Sequence, residues 1–385
     1  MALGGGAAAV STSVLLRQLR GPRALTAVGD AYDRLAASTD LPVTSRRRWL
    51  QAWTDTFPQW SPWLVALEQE GRLVAVAPLA FRTRAWGMDV VLLGHGPTDD
   101  ARLPAEPGQA ERLARAVVHV LPAGGWRLRL NQVPRGDDVV RALCERLDQV
   151  EVTPGQGMPH VRAHGRDLDA HLSRNTRKAL AKIRNRLRAR GLEPAFRWTS
   201  DAADVEVLLP DLARVHRERD LSLGRLPEHD APSVAAFYRE VLLRHARAGE
   251  LELLTLHLDG DLAAYVCGFR DGRTFRVWDN RLSPRWAAVS AGRLANTEAL
   301  RRVVMGDDYD VLDWMRGEEP YKLQSATEVV PTSVVTAWSS PVLARVDRLL
   351  LGAEDRGRRV LRQAPGMLAL HRRLRAVAAR PPDLS

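Results

Sequence analysis

Lysine is nearly absent from this chain of 385 residues: of 56 basic side chains, only Lys178, Lys182 and Lys322 are not arginine. Where arginine supplies the general surface charge, a lone lysine has no default explanation. That singles out Lys322 at the end of "DWMRGEEPYK". Cysteine is also scarce, with Cys144 and Cys267 alone, which excludes a disulfide framework and fits a reducing compartment. Long apolar runs are missing. The uncharged stretch "VVPTSVVTAWSSPVLA" is too short and too polar to span a bilayer. The opening "MALGGGAAAVSTSVLL" has no basic n-region and is expected to be a disordered leader over 1–24 rather than a signal peptide. No His/Cys/Asp cluster has metal-ligand spacing, so no metal is expected, and no Walker or dinucleotide fingerprint occurs. These absences lead to the expectation of a soluble, cytoplasmic protein, with peripheral membrane contact left open.

What is present is globular: 45% hydrophobic and 26% charged residues, at a length suited to two domains. The net charge of +10 is unevenly spread. Leu172 to Arg190 holds eight basic residues and no acid, and Pro341 to Arg380 holds ten Arg against three acids. The rest of the chain is therefore mildly acidic, +10 − 8 − 7 = −5.

Self-comparison reveals a duplication. "LVALEQEGRLVAVAPL" from Leu64 and "LLTLHLDGDLAAYVCG" from Leu253 are both apolar runs joined by an acid-Gly turn, a hairpin pattern. Gly71 and Gly260 lie 189 residues apart, and Leu64/Leu253, Leu67/Leu256, Leu73/Leu262 and Ala75/Ala264 match at that offset. The preceding helical segments align as well, Trp49 with Tyr238. Downstream, a strand, a helix and a strand follow in each half.

Several motifs carry chemistry. In "VSAGRLANTEAL" the start of a helix, with small Ser290, Ala291 and Gly292 beside Arg293, suits an anion; an ordinary Ser-capped helix has the same pattern. In "YDVLDWMRGEEPYK" alternation puts Val311 and Asp313 on one strand face. Acyl transfer to an amine needs a base, a proton donor and a group for the developing oxyanion. Asp313, Tyr321 and Lys322 are of those types, although an acid before Gly317 is also a simple turn cap. Asp279 ends the strand "TFRVWDN". The segment Ser173 to Arg190 has Leu180, Ile183 and Leu187 as an apolar stripe. Arg174, Lys178, Lys182, Arg186 and Arg190 form a basic one. A helix face without acids points to an anionic partner.

The repeated unit resembles the Gcn5-related N-acetyltransferase (GNAT) fold. The order of the basic helix, "LARVHRERD", the second hairpin, "SAGRL" and "DWMRGEEPYK" resembles the CelD/BcsL-like group, itself similar to tandem-GNAT Fem-type aminoacyl transferases. Where that group has Ser-Pro-Gly, this chain has Ser290-Ala291-Gly292. The resemblance implies an α+β fold of tandem GNAT-like units, each a mixed, mostly antiparallel sheet flanked by helices. Residues 25–165 would form a degenerate first unit, 166–338 the acyltransferase unit and 339–385 a basic amphipathic helical tail. It further implies acetyl-CoA or another acyl-CoA as donor, gripped at Ser290, Ala291, Gly292 and Arg293. Lys322 would stabilise the oxyanion, Tyr321 would donate a proton, and Asp313 would act as base or orient Lys322. Asp279 would stand where two strands splay, as base or substrate contact. His216, Arg219, Arg177 and Arg184 would face the acceptor. That acceptor is expected to be a small-molecule or sugar-nucleotide-like amine or hydroxyl, such as an envelope, polysaccharide or natural-product precursor. An anionic membrane surface or an acidic carrier protein is a further candidate partner, and DNA is not one. Two alternatives are Fem-type transfer from charged tRNA and a catalytically silent binding module for envelope assembly.

Overall fold

The structure, a computed structural model, describes residues 14–165 and 167–350. The first half runs β1 (Val14–Arg20), α1 (Ala24–Ser38), α2 (Arg47–Thr56), β2 (Ser61–Gln69), β3 (Arg72–Arg84), β4 (Gly87–Leu92), α3 (Ala110–Val120), β5 (Trp126–Pro134), α4 (Asp138–Cys144), β6 (Gln149–Pro154) and β7 (Met158–Arg162). Two helices follow, α5 (Leu168–His171) and α6 (Arg174–Ala189). The second half then repeats the order of the first: β8 (Ala195–Thr199), α7 (Ala202–Ser222), α8 (Pro232–Arg247), β9 (Leu251–Leu258), β10 (Asp261–Asp271), β11 (Thr274–Leu282), α9 (Ala291–Met305), β12 (Val311–Asp313), α10 (Pro320–Leu323), β13 (Glu328–Val330) and β14 (Thr332–Trp338). The chain is thus a tandem of GNAT-like α+β units.

Both hairpins form as the acid-Gly pairs require. Glu70 and Gly71 have φ of 52° and 72°, and Asp259 and Gly260 have φ of 51° and 73°. Positive φ at both central residues is the type I′ turn, whose twist matches that of the flanking strands. The buried Leu, Val and Ala of β2, β3, β9 and β10 suit strands with a neighbour on each side.

Among the described residues each sheet has seven strands, ordered β1-β2-β3-β4-β5-β14-β6 and β8-β9-β10-β11-β12-β7-β13. The sixth place of each is filled by the last strand of the other half, so the halves exchange one strand reciprocally. Hydrogen-bonded units therefore differ from the expected sequence units, because β7 lies in the second sheet and β14 in the first. The leader expected over 1–24 is corrected from Val14 onward, where β1 pairs along its whole length with β2; Leu16 packs on one face of the sheet and Leu19 on the other. Residues 341–350 are helical, with Asp347 accepting from Trp338 Nε1 at 3.0 Å. The remainder of the expected tail lies outside the described residues.

One core serves both halves. Trp49 of α2 is fully buried and packs edge-on against Phe237, Trp278 and Phe269, with ring centroids 5.3, 5.2 and 5.8 Å away. Leu50, Trp53, Val241 and Leu242 belong to the same cluster. Ion pairs cross the same seam, Arg244 to Asp55 at 2.8 Å among them.

Candidate active site

In both sheets one pair of neighbours is parallel, β4 with β5 and β11 with β12. A parallel pair needs no common turn, so its strands are free to part. β11 and β12 pair only through Thr274–Arg276 and Val311–Asp313. Beyond Arg276 a bulge at Trp278 sets Cys267 opposite Asp279 and Gly268 opposite Val277, which bends β11 away. The gap is a cavity of about 460 Å³ between the end of β11, the start of α9, the end of α7 and the α10 turn.

Apolar and cationic groups make its walls. Leu172, Leu223, Leu282, Leu300 and Trp314 supply the first kind. Arg219, Arg225 and Arg293 also line it, and none of the three has an ion-pair partner among the described residues. At the start of α9 the Arg293 N–H donates to the Ser290 carbonyl at 3.0 Å, so of the two residues of that turn that face the cavity, Gly292 and Arg293, Gly292 is the one whose N–H has no backbone partner among the described residues. Ser290 is in the left-handed region at φ 54°, and Ala291 is fully buried. Those two shape the turn and do not line the cavity. A Cβ at Gly292 would stand 2.7 Å from Leu282 Cδ2, so a side chain there would turn Leu282 aside.

The structure brings Tyr321 to this cavity, its hydroxyl donating to Asn280 Oδ1 at 3.1 Å. Burial pushes its phenol up to about 12. Lys322 goes elsewhere. Its buried Nζ donates to the Arg316 carbonyl at 2.6 Å and lies 3.1 Å from Glu319. It therefore clamps the turn and does not point at the cavity, which corrects its expected oxyanion role. Asp313 is fully buried, 2.6 Å from Arg276 Nη1 and 3.3 Å from His160 Nε2. The cause is register, since β11, β12 and β7 set Arg276, Asp313 and His160 side by side. Burial alone would raise this carboxyl, but His160 and Arg276 hold it below its ordinary value. Neither a base role nor an orienting contact with Lys322 survives. Asp279 is also locked: it accepts from Tyr265 at 2.6 Å and Tyr238 at 3.0 Å, and pairs with Arg281 at 2.8 Å. Against its burial, Arg281 keeps it ionised.

His216 stands one layer behind the wall. Its Nε2 accepts from Arg281 at 3.0 Å, its Nδ1 is 3.2 Å from Asp220, and its ring stacks on His229 at 3.9 Å. Arg219 and Asp220 line the cavity itself. Arg177 and Arg184 do not; both lie on the exposed side of α6, and Arg177 donates to the Asp169 carbonyl at 2.7 Å. Leu180, Ile183 and Leu187 are buried as their spacing predicts.

Sequence reasoning missed Glu319, Arg225 and a second cavity. β4 and β5 pair through Met88–Val91 and Trp126–Arg129 and then part. The opening there, about 610 Å³, is lined by His95, Thr98, Asn131, Gln132 and Gln156. Arg225 and Glu319 border both cavities. Burial, then the charge of Arg129, lowers His95 to about 4, so its ring is neutral. Arg225 lies in "LGRLPEHD", a Gly/Pro loop after a long helix, which was the available signal.

This cavity, at the parting of a parallel pair and the start of a helix, defines the class of the second unit. Residues 174–323 match the family model of the acetyltransferase (GNAT) domain, and the second unit is a GNAT domain. No curated protein matches the sequence. Among solved structures, FemX is similar at TM-score 0.59 and 9% identity, over 82% of this chain and 98% of that one. The C-terminal domain of a putative lysylphosphatidylglycerol synthetase from Agrobacterium fabrum is similar at TM-score 0.52 and 10% identity, over 84% and 95%. A conserved protein of unknown function from Bacteroides thetaiotaomicron gives 0.51 and 14%, over 80% and 97%. At such identities the likeness is one of fold.

Proposed function

We propose that the protein is an acyltransferase that takes an acyl group, acetyl in the simplest case, from acyl-CoA held in the second unit's cavity and passes it to an amine. The observation that carries this reading is the set of Arg219, Arg225 and Arg293, free of ion pairs among the described residues, in a largely apolar cavity. Unpaired guanidiniums suit phosphates, and the Gly292 N–H at the α9 start adds to them. The leucines and Trp314 suit the aliphatic part of such a donor. Tyr321, protonated at neutral pH, can supply a proton to a leaving thiolate.

Titration calorimetry with acetyl-CoA tests it. A charge-assisted contact contributes about 1.5–3 kcal/mol, so Arg293→Ala and Arg219→Ala should each weaken binding about 10–100-fold. Equal affinity of wild type and both variants, or no binding at all, would overturn the donor assignment.

One observation favours a second reading, aminoacyl transfer from charged tRNA. Arg174, Lys178 and Lys182 are exposed on α6, and none has an ion-pair partner among the described residues. Steeply salt-dependent tRNA binding without acetyl-CoA binding would favour that reading.

A further inference from the structure

The two cavities differ in chemistry and share a wall. The one in the second unit is largely apolar, with Arg219, Arg225 and Arg293 beside Asp220 and Glu319. The one in the first unit is lined by the neutral hydrogen-bonding groups His95, Thr98, Asn131 and Gln132, with Gln132 exchanging hydrogen bonds with the Gln156 main chain at 3.1 Å both ways, and by the charged Arg225, Arg316, Glu228 and Glu319. Such a wall suits a small ligand with several hydroxyl groups and little apolar surface. It is poorly suited to a thioester chain. Glu319 borders both spaces. Its carboxylate is exposed, 3.1 Å from Lys322 Nζ, and lies where a side chain on Gly317 would stand, since a Cβ there would be 2.6 Å from Glu319 Oε2. Glu318 has the other task in this turn, accepting from the Gly157 N–H at 3.1 Å. Asp279 and Asp313 are locked in buried pairs, and Glu228 borders the first unit's cavity alone. Of these carboxylates only Glu319 meets both cavities.

We propose that the first unit's cavity seats the acceptor, a small hydroxylated primary amine of the amino-sugar kind, and that Glu319 on the shared wall takes the amine's proton. The proposal rests on the donor reading above. The step balances. The neutral amine nitrogen attacks the thioester carbonyl carbon, a C–N bond forms and the C–S bond breaks. The sulfur leaves with the bonding pair and takes the Tyr321 proton, while the N–H proton passes to Glu319 and from there, through solvent, returns to Tyr321. The products are an amide and free CoA. The duplication thereby acquires a division of labour, one parted strand pair for the donor and one for the acceptor.

Glucosamine is the probe. Its binding is measured by ligand-observed NMR without any thioester, and its turnover as glucosamine-dependent release of CoA thiol from acetyl-CoA. Val334→Trp, which fills the first unit's cavity from the half-buried face of β14, should raise the glucosamine Kd and KM at least about tenfold and leave acetyl-CoA affinity within twofold. Asn131→Ala, a milder change, guards against misfolding and should act in the same direction. Glu319→Gln should lower kcat about 10²-fold, the lower end for a lost general base, with both affinities kept. Failure of glucosamine to bind or to be acylated, unchanged glucosamine affinity in Val334→Trp and Asn131→Ala, or full kcat in Glu319→Gln would each overturn the proposal. Glucosamine binding that Val334→Trp abolishes, in a protein that does not bind acetyl-CoA, would instead overturn the donor reading and leave the amine site supported.

Discussion

Lys322 and its neighbours show what single charges do in this molecule. Replacing Lys322 by Met removes a donor from the Arg316 carbonyl and a partner from Glu319. A lost charged hydrogen bond of this kind costs about 1.5–3 kcal/mol. Lys322→Met should therefore lower the urea midpoint and disturb kcat and KM together, whereas an oxyanion role would lower kcat alone. Titration of three groups, the half-buried His95 and His229 and the buried Asp99, gives a second measurement. Burial lowers His95 to about 4, and burial with the neighbouring His216 does the same to His229, from a usual 6.5. The unfolded chain then binds these protons more tightly, so both groups make stability rise with pH between about 4 and 6.5. Asp99 works in the opposite direction: burial raises it from 3.8 to about 6 against the pull of Arg316, so its contribution falls as pH rises across 4 to 6. Melting temperatures between pH 4 and 7 should rise less steeply for His95→Asn and more steeply for Asp99→Asn.

At the scale of elements, α9 and α6 carry the sharpest expectations. Gly292→Val should push Leu282 into the donor cavity and weaken acetyl-CoA binding in a protein that still folds; unchanged affinity would remove the α9 start from the site. Replacing Arg174, Lys178 and Lys182 by Gln should change stability by no more than about 0.5 kcal/mol, as for surface positions without partners. These two elements were readable in the sequence, because a small-residue helix start and an i,i+4 stripe are local patterns. The type I′ hairpins were readable for the same reason, as two acid-Gly pairs at one offset. The surroundings of Asp313 and Asp279 were not. A carboxylate at the end of a strand reads alike whether it faces a cavity or an arginine on the next strand. Only cross-strand register, which joins Arg276, Asp313 and His160, separates the two. Nor did order along the chain show that β14 belongs to the first sheet. Its alternation of buried and half-exposed residues would satisfy either sheet equally well.

The whole molecule should unfold in one step. Trp49 sits in a core built from both halves, so Trp49→Ala, at about 3–5 kcal/mol for a buried aromatic, should shift a single calorimetric transition without splitting it. Residues 14–165 expressed alone should fail to give a cooperative transition. The exchanged strands also bear on how the protein is made. Among the described residues β6 pairs with β14 and with no other strand. During synthesis the first sheet therefore waits with a gap between β5 and β6 until residue 338 has left the ribosome. Most multidomain chains complete their N-terminal part first. Here the first half stays open until β14 emerges, and a nascent chain that stops short of it carries an exposed strand edge that a chaperone would have to shield.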